Sequence, residues 1–152
     1  RMRVTAEEYK LERQIPFLSK EELAKQHYAF QRLWPFGKAS ELISRYENQD
    51  SQPLHEVFCH FVRLGDIVIA TNPFELYHDY GVRLSCRSPA VQNFMVQLCE
   101  RPDAGDGYYL PTRRAMVGGH YSAQIKSCWV GPEGGDLLVE NSVAAINALF
   151  AQ

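Results

Sequence analysis

Several features that the sequence lacks narrow its function. Its 4 cysteines include no Cys-x-x-Cys pair, which argues against a structural zinc site of the finger type. We expect free, buried cysteines, with one or two disulfides as the alternative. No apolar run approaches the ~20 residues that span a bilayer. We expect no signal peptide at the start of this sequence, and the compartment is left open between cytoplasm and secretion.

Charge and short motifs are equally uninformative about a ligand. The net charge of -2 gives no argument for nucleic acid or for an anionic membrane surface. The sequence contains no Gly-x-Ser-x-Gly, no phosphate loop and no His-Glu-x-x-His. Its 152 residues, 45% hydrophobic and 22% charged, predict one globular domain over residues 1–152. Because the first residue is Arg1 rather than Met, we expect this domain to be a piece of a longer one.

The N-terminal third, residues 1–53, is predicted to be a mostly helical lead-in. Ser19 followed by Glu22 has the capping-box pattern, which predicts a helix from Lys20 to about Leu33. A second helix is predicted over residues 38–46. Nothing in this third suggests chemistry.

From residue 54 to residue 152 the pattern changes to short apolar runs. In residues 57–62 apolar side chains occur at both odd and even positions, so both faces of a strand here would be apolar. This pattern predicts a strand in the interior of a sheet. Gly65 and Asp66 are typical of a tight turn, so residues 56–71 are predicted to form a β-hairpin or two neighbouring strands.

The next element contains the main candidate residue. The run Ile67–Ala70 reads as a buried strand that ends at Asn72 and Pro73. Proline fits the first turn of a helix, so a helix carrying Glu75 is predicted over residues 74–86. A further short strand is predicted over residues 93–99.

The remaining elements are predicted from their boundary residues. Residues 108–111 are expected to be extended, and Thr112 is expected to cap a short helix over 113–117. Residues 121–130 read as irregular or strand-like, and Gly131 with Pro132 opens the closing helix. Together these elements predict an α/β fold, with α+β as the alternative: a mixed sheet of short strands with flanking helices.

Residue chemistry alone leaves the candidate site open. A carboxylate between a strand end and a helix is how α/β proteins place an acid in a cleft, but Glu75 could equally serve the helix dipole. Tyr109 could be functional or a core aromatic residue. His78 would share a helix face with Glu75, and a single Glu-x-x-His is a weak metal pattern. We interpret His60 as a core histidine.

Two stretches, residues 65–84 and 107–140, carry a resemblance. Pro73-Phe74-Glu75 stands where a known family has Pro-Gly-Glu, and Gly81 follows at the same offset. Tyr109–Thr112, Gly118–Tyr121 and Gly131-Pro132 follow in the same order. The chain thereby resembles the C-terminal half of the catalytic domain of the neutral/alkaline (non-lysosomal) ceramidase family, its bacterial relatives above all. Phe74 in place of glycine and Arg113–Ala115 in place of an acidic segment are departures.

The resemblance implies a zinc site and a reaction. It assigns Glu75 and Tyr109 as two zinc ligands, with two histidines and a reactive serine in a missing N-terminal half, and no catalytic residue within this chain. The family hydrolyses the amide of N-acylsphingosine. We therefore expect the C-terminal portion of a ceramidase-like zinc amidohydrolase, incomplete alone. The expected partners are a lipid amide, the missing half and a second copy meeting an exposed apolar face. The alternative is a non-catalytic α/β structural or interaction domain without the metal.

Overall fold

The computed structural model of this protein describes residues 1–14, 36–99 and 108–151. The chain divides into two compact units, Arg1–Leu54 and His55–Gln152. The helix predicted from Lys20 to Leu33 lies outside the described residues.

The N-terminal unit contains two described helices, α1 at Ala6–Gln14 and α2 at Phe36–Asn48. Helix α2 confirms the helix predicted over 38–46 and extends it at both ends. A capping box that the sequence reading missed begins α1. The Thr5 hydroxyl accepts from the Glu8 backbone N–H at 3.2 Å, and the Glu8 carboxylate accepts from the Thr5 N–H at 3.0 Å.

The described residues of the C-terminal unit form five short strands in two sheets. The strands are β1 Phe61–Leu64, β2 Ile67–Thr71, β3 Glu75–Leu76, β4 Gln92–Val96 and β5 Tyr109–Leu110. In the larger sheet, β2 pairs antiparallel with β1 and parallel with β4. Strands β3 and β5 pair in parallel as a separate sheet. The mixed sheet and the predicted hairpin are confirmed.

The burial predicted for the first strand is wrong. Strand β1 lies at the edge of its sheet, and Val62 and Leu64 are exposed while Phe61 and Arg63 are half-buried. Only one face of this strand meets other elements, so continuous apolar sequence does not imply an interior position. His60, interpreted as a core histidine, is exposed.

Three helices complete this unit: α3 at His78–Arg87, α4 at Arg113–Gly118 and α5 at Pro132–Phe150. The capped short helix and the closing helix are confirmed, since Thr112 accepts from the Ala115 N–H at 3.2 Å and α5 begins at Pro132. The irregular stretch between them forms two 3₁₀ turns, 121–123 and 125–127. No helix that the structure describes combines the length and apolar character needed to cross a bilayer.

The core lies on one face of the larger sheet, where α3 and α5 pack together. Its buried side chains include Val68 and Ala70 of β2, Tyr80 and Leu84 of α3, Leu110 of β5, and Val139, Val143 and Ile146 of α5. None of the four cysteines forms a disulfide, as predicted. The burial predicted for them is confirmed only for Cys128, whereas Cys86 is exposed. The second sheet, β3 with β5, is anchored to this core through Leu110.

Candidate metal centre

Glu75 lies on a strand rather than on the predicted helix. The Asn72 side-chain oxygen accepts from the Phe74 N–H at 3.0 Å, while the Asn72 backbone N–H donates to the Val96 carbonyl at 2.9 Å. This turn directs residues 75 and 76 into β3, and the helix begins only at His78. The prediction of a helix over 74–86 is therefore wrong at its start. The local side-chain bond from Asn72 competes with helix initiation.

The pairing of β3 with β5 brings the two predicted ligands together. Glu75 lies opposite Tyr109 in the parallel register, and the Glu75 N–H donates to the Tyr108 carbonyl at 3.0 Å. Both side chains are half-buried. Neighbouring residues in register send their side chains to the same face, so a carboxylate and a phenol share one small surface.

Phe74, the departure from the glycine of the resemblance, does not occupy that surface. Its side chain is buried at 3% exposure within the core. The aromatic ring therefore anchors the turn that precedes Glu75.

A second phenol completes the cluster. The hydroxyl groups of Tyr109 and Tyr121 are 3.1 Å apart, and the two rings meet edge to face with centroids at 5.6 Å. Hydrogen bonds with Tyr121 and with the Glu75 carboxylate, together with partial burial, hold the pKa of the Tyr109 phenol well above its usual range. At neutral pH Tyr109 therefore keeps its proton.

Tyr121 is positioned by the first 3₁₀ turn, and the sequence reading missed it. Gly119, at a φ of 70°, ends α4 and turns the chain back towards β5. Ser122, which follows Tyr121 in the turn, makes two hydrogen bonds. Its hydroxyl bonds the Tyr77 hydroxyl at 2.7 Å, and its backbone carbonyl accepts from the Cys128 thiol at 3.2 Å. The Gly118-Gly119 signal was visible in the sequence, but the 3₁₀ turn that follows it has too few residues to show a period.

The metal pattern predicted for Glu75 and His78, two side chains on one helix face, does not form. His78 is the exposed first residue of α3, whereas Glu75 precedes the helix, so the two do not share a helix face. Within residues 1–14, 36–99 and 108–151, no group of three or more His, Cys, Asp or Glu side chains could hold a metal ion.

The cluster offers oxygen ligands of two kinds at adjacent positions. Zinc accepts carboxylate oxygen readily, and metal ligands must give up their protons on binding. The described residues therefore supply two candidate oxygen ligands and no complete metal site.

Comparison with known proteins gives no independent assignment, since no protein-family model, no curated protein and no solved structure matches this chain.

Proposed function

We propose that this chain is the C-terminal portion of a ceramidase-like zinc amidohydrolase and that Glu75 and Tyr109 are two of its zinc ligands. The observation that carries the proposal is the register of β3 with β5, which pairs these two residues. The resemblance selected them on sequence motifs that lie far apart in the chain. Their adjacency in the fold is independent of those motifs and supports the shared role.

The residues of this chain would then have distinct roles. Glu75 supplies a carboxylate oxygen and Tyr109 a phenol oxygen, which gives up its proton on binding. Tyr121 holds the Tyr109 hydroxyl in position through the contact at 3.1 Å. When bound, zinc supplies polarisation of the amide carbonyl and a water whose pKa falls to about 7. Two histidines and the reactive serine come from the missing N-terminal half, which also contacts the N-acylsphingosine-type substrate.

One observation favours the alternative, a non-catalytic α/β structural or interaction domain. The Tyr109 hydroxyl already has a hydrogen-bond partner within the described chain, the Tyr121 hydroxyl at 3.1 Å. The cluster would then serve as a polar link between β3, β5 and the first 3₁₀ turn.

Zinc affinity of the full-length protein that carries this sequence separates the two functions. Loss of a second-shell partner costs about 10–100-fold in metal affinity, so we expect Glu75→Gln and Tyr109→Phe each to weaken zinc binding by at least about 100-fold. The exposed Glu56 provides the matched control, and Glu56→Gln should leave the affinity unchanged. Residues 1–152 alone should bind zinc weakly because they supply only two ligands.

Unchanged zinc affinity in Glu75→Gln and Tyr109→Phe would remove the metal assignment and leave the structural domain. Isothermal titration with zinc, with circular dichroism of each variant as the test of folding, gives this answer without an assay for the lipid amide.

A further inference from the structure

Strand β4 leaves one edge of the larger sheet open. It pairs with β2, and the Val96 carbonyl accepts from the Asn72 N–H on that side. The backbone N–H and C=O groups of successive residues point to opposite sides of a strand. Because those of Val96 point towards β2, those of Asn93, Met95 and Gln97 point away from it. No other strand of the described chain lies there. The Gln92 side chain reaches this edge, donating to the Asn93 carbonyl at 3.2 Å.

Two of the usual protections against pairing, charge and proline, are absent from the described residues of this edge. Residues 91–98, VQNFMVQL, contain no charged residue and no proline, the devices that natural proteins place on exposed edges. Phe94, Val96 and Leu98 are 49%, 41% and 60% exposed. The opposite edge strand, β1, does carry a charge, Arg63.

We propose that β4 pairs antiparallel with β4 of a second copy of this chain, about a two-fold axis at Met95. In this register the outward N–H and C=O of Met95 bond their counterparts in the other copy. Asn93 lies opposite Gln97, and Phe94 lies opposite Val96. The residues whose backbone groups point away from β2, Asn93, Met95 and Gln97, form the hydrogen-bonded pairs. Phe94 and Val96 form the closer, non-hydrogen-bonded pair.

A second copy fits because the edge complements itself. Phe94 and Val96 make an aromatic and β-branched pair, which is a favourable cross-strand combination, and no like charges meet. The apolar sheet face beside it would accept any apolar surface and specifies no occupant.

Sedimentation equilibrium of residues 1–152 over a wide range of concentration tests the interface. We expect a reversible dimer, and Val96→Lys should weaken it by at least about tenfold, because two charges enter each symmetric interface. Val62→Lys is the matched control. Val62 is a valine of similar exposure, 48%, on the same sheet face but on the far edge strand β1, and its substitution should leave the dimer intact.

A monomer at every concentration overturns the proposal, and so does a Val62→Lys variant that dissociates as readily as Val96→Lys, since the sheet face would then be the interface. Circular dichroism establishes that each variant folds. If Val96→Lys fails to fold, Phe94→Lys, which alters the same cross-strand pair, takes its place with the same expected loss. The inference stands apart from the zinc site, and Glu75→Gln should dimerise normally.

Discussion

At the scale of single residues, Tyr80 connects the core to the chain that carries the candidate ligands. It is 2% exposed, and its hydroxyl donates to the Pro111 carbonyl at 2.8 Å, two residues after Tyr109. Burial raises the pKa of the Tyr80 phenol to about 12, with the nearby Asp136 carboxylate adding to the effect. This one hydroxyl therefore helps to hold β5 against α3.

Tyr80→Phe should lower the free energy of unfolding by about 1–2 kcal/mol near neutral pH, because the buried Pro111 carbonyl loses its donor. The folded pKa is above the ordinary value of 10.0, so this stabilisation is complete below pH about 10 and disappears as the pH rises through about 12. Urea unfolding at neutral and alkaline pH measures both effects. Tyr46→Phe, in the other unit, is the control, and a Tyr80→Phe difference that did not change with pH would contradict the assignment.

At the scale of elements, the sequence of α5 is constrained by its contact with the Tyr80 ring. A Cβ atom at Gly135 would lie 2.3 Å from both Cζ and the hydroxyl oxygen of Tyr80. Glycine inside a helix is otherwise unfavourable, so its presence here reflects the close approach of α5 to α3.

Gly135→Ala should therefore destabilise the protein by about 1–3 kcal/mol through overpacking, although alanine is favoured over glycine in a helix by about 1 kcal/mol. Asn141→Ala, on the exposed side of the same helix, should be neutral or slightly stabilising. Thermal melts of the two variants compare the effects. A stabilised Gly135→Ala variant would show that Tyr80 has room to move.

The elements also show what the sequence could predict. The hairpin, the capped helix α4 and the closing helix α5 have local signals, namely a Gly-Asp turn, Thr112 and Gly131-Pro132, and all were predicted. Strands β3 and β5 have two residues each, too few for any periodicity. The register pairs residues that are distant in the chain, so it cannot be predicted from any local sequence pattern. Glu75 was consequently placed on a helix, and only the resemblance linked it with Tyr109.

At the scale of the whole molecule, the protein is held together without covalent cross-links. No disulfide forms among the four cysteines; Cys86 is exposed, whereas Cys128 is buried at 0% exposure. Stability therefore depends on packing and hydrogen bonds such as the one from the Cys128 thiol to the Ser122 carbonyl.

A reductant should leave the melting temperature unchanged, because no disulfide contributes to stability. Titration with a thiol reagent should detect all four cysteines in denaturant. In the folded protein Cys86 should react first and Cys128 last. A lower melting temperature under reducing conditions, or fewer thiols in denaturant, would contradict this description.

The pairing of Glu75 with Tyr109 depends on the alignment of the main chains of β3 and β5. Substitutions and changes in chain length should therefore affect this pairing differently. Substitutions around the pair alter neighbours and leave the alignment intact. A one-residue shift of β3 against β5, such as a change in length next to Glu75 can produce, reverses the direction of the carboxylate, because successive side chains of a strand point to opposite faces. In the lineage of this protein, the length of the segment next to Glu75 should consequently be under stronger selection than its composition.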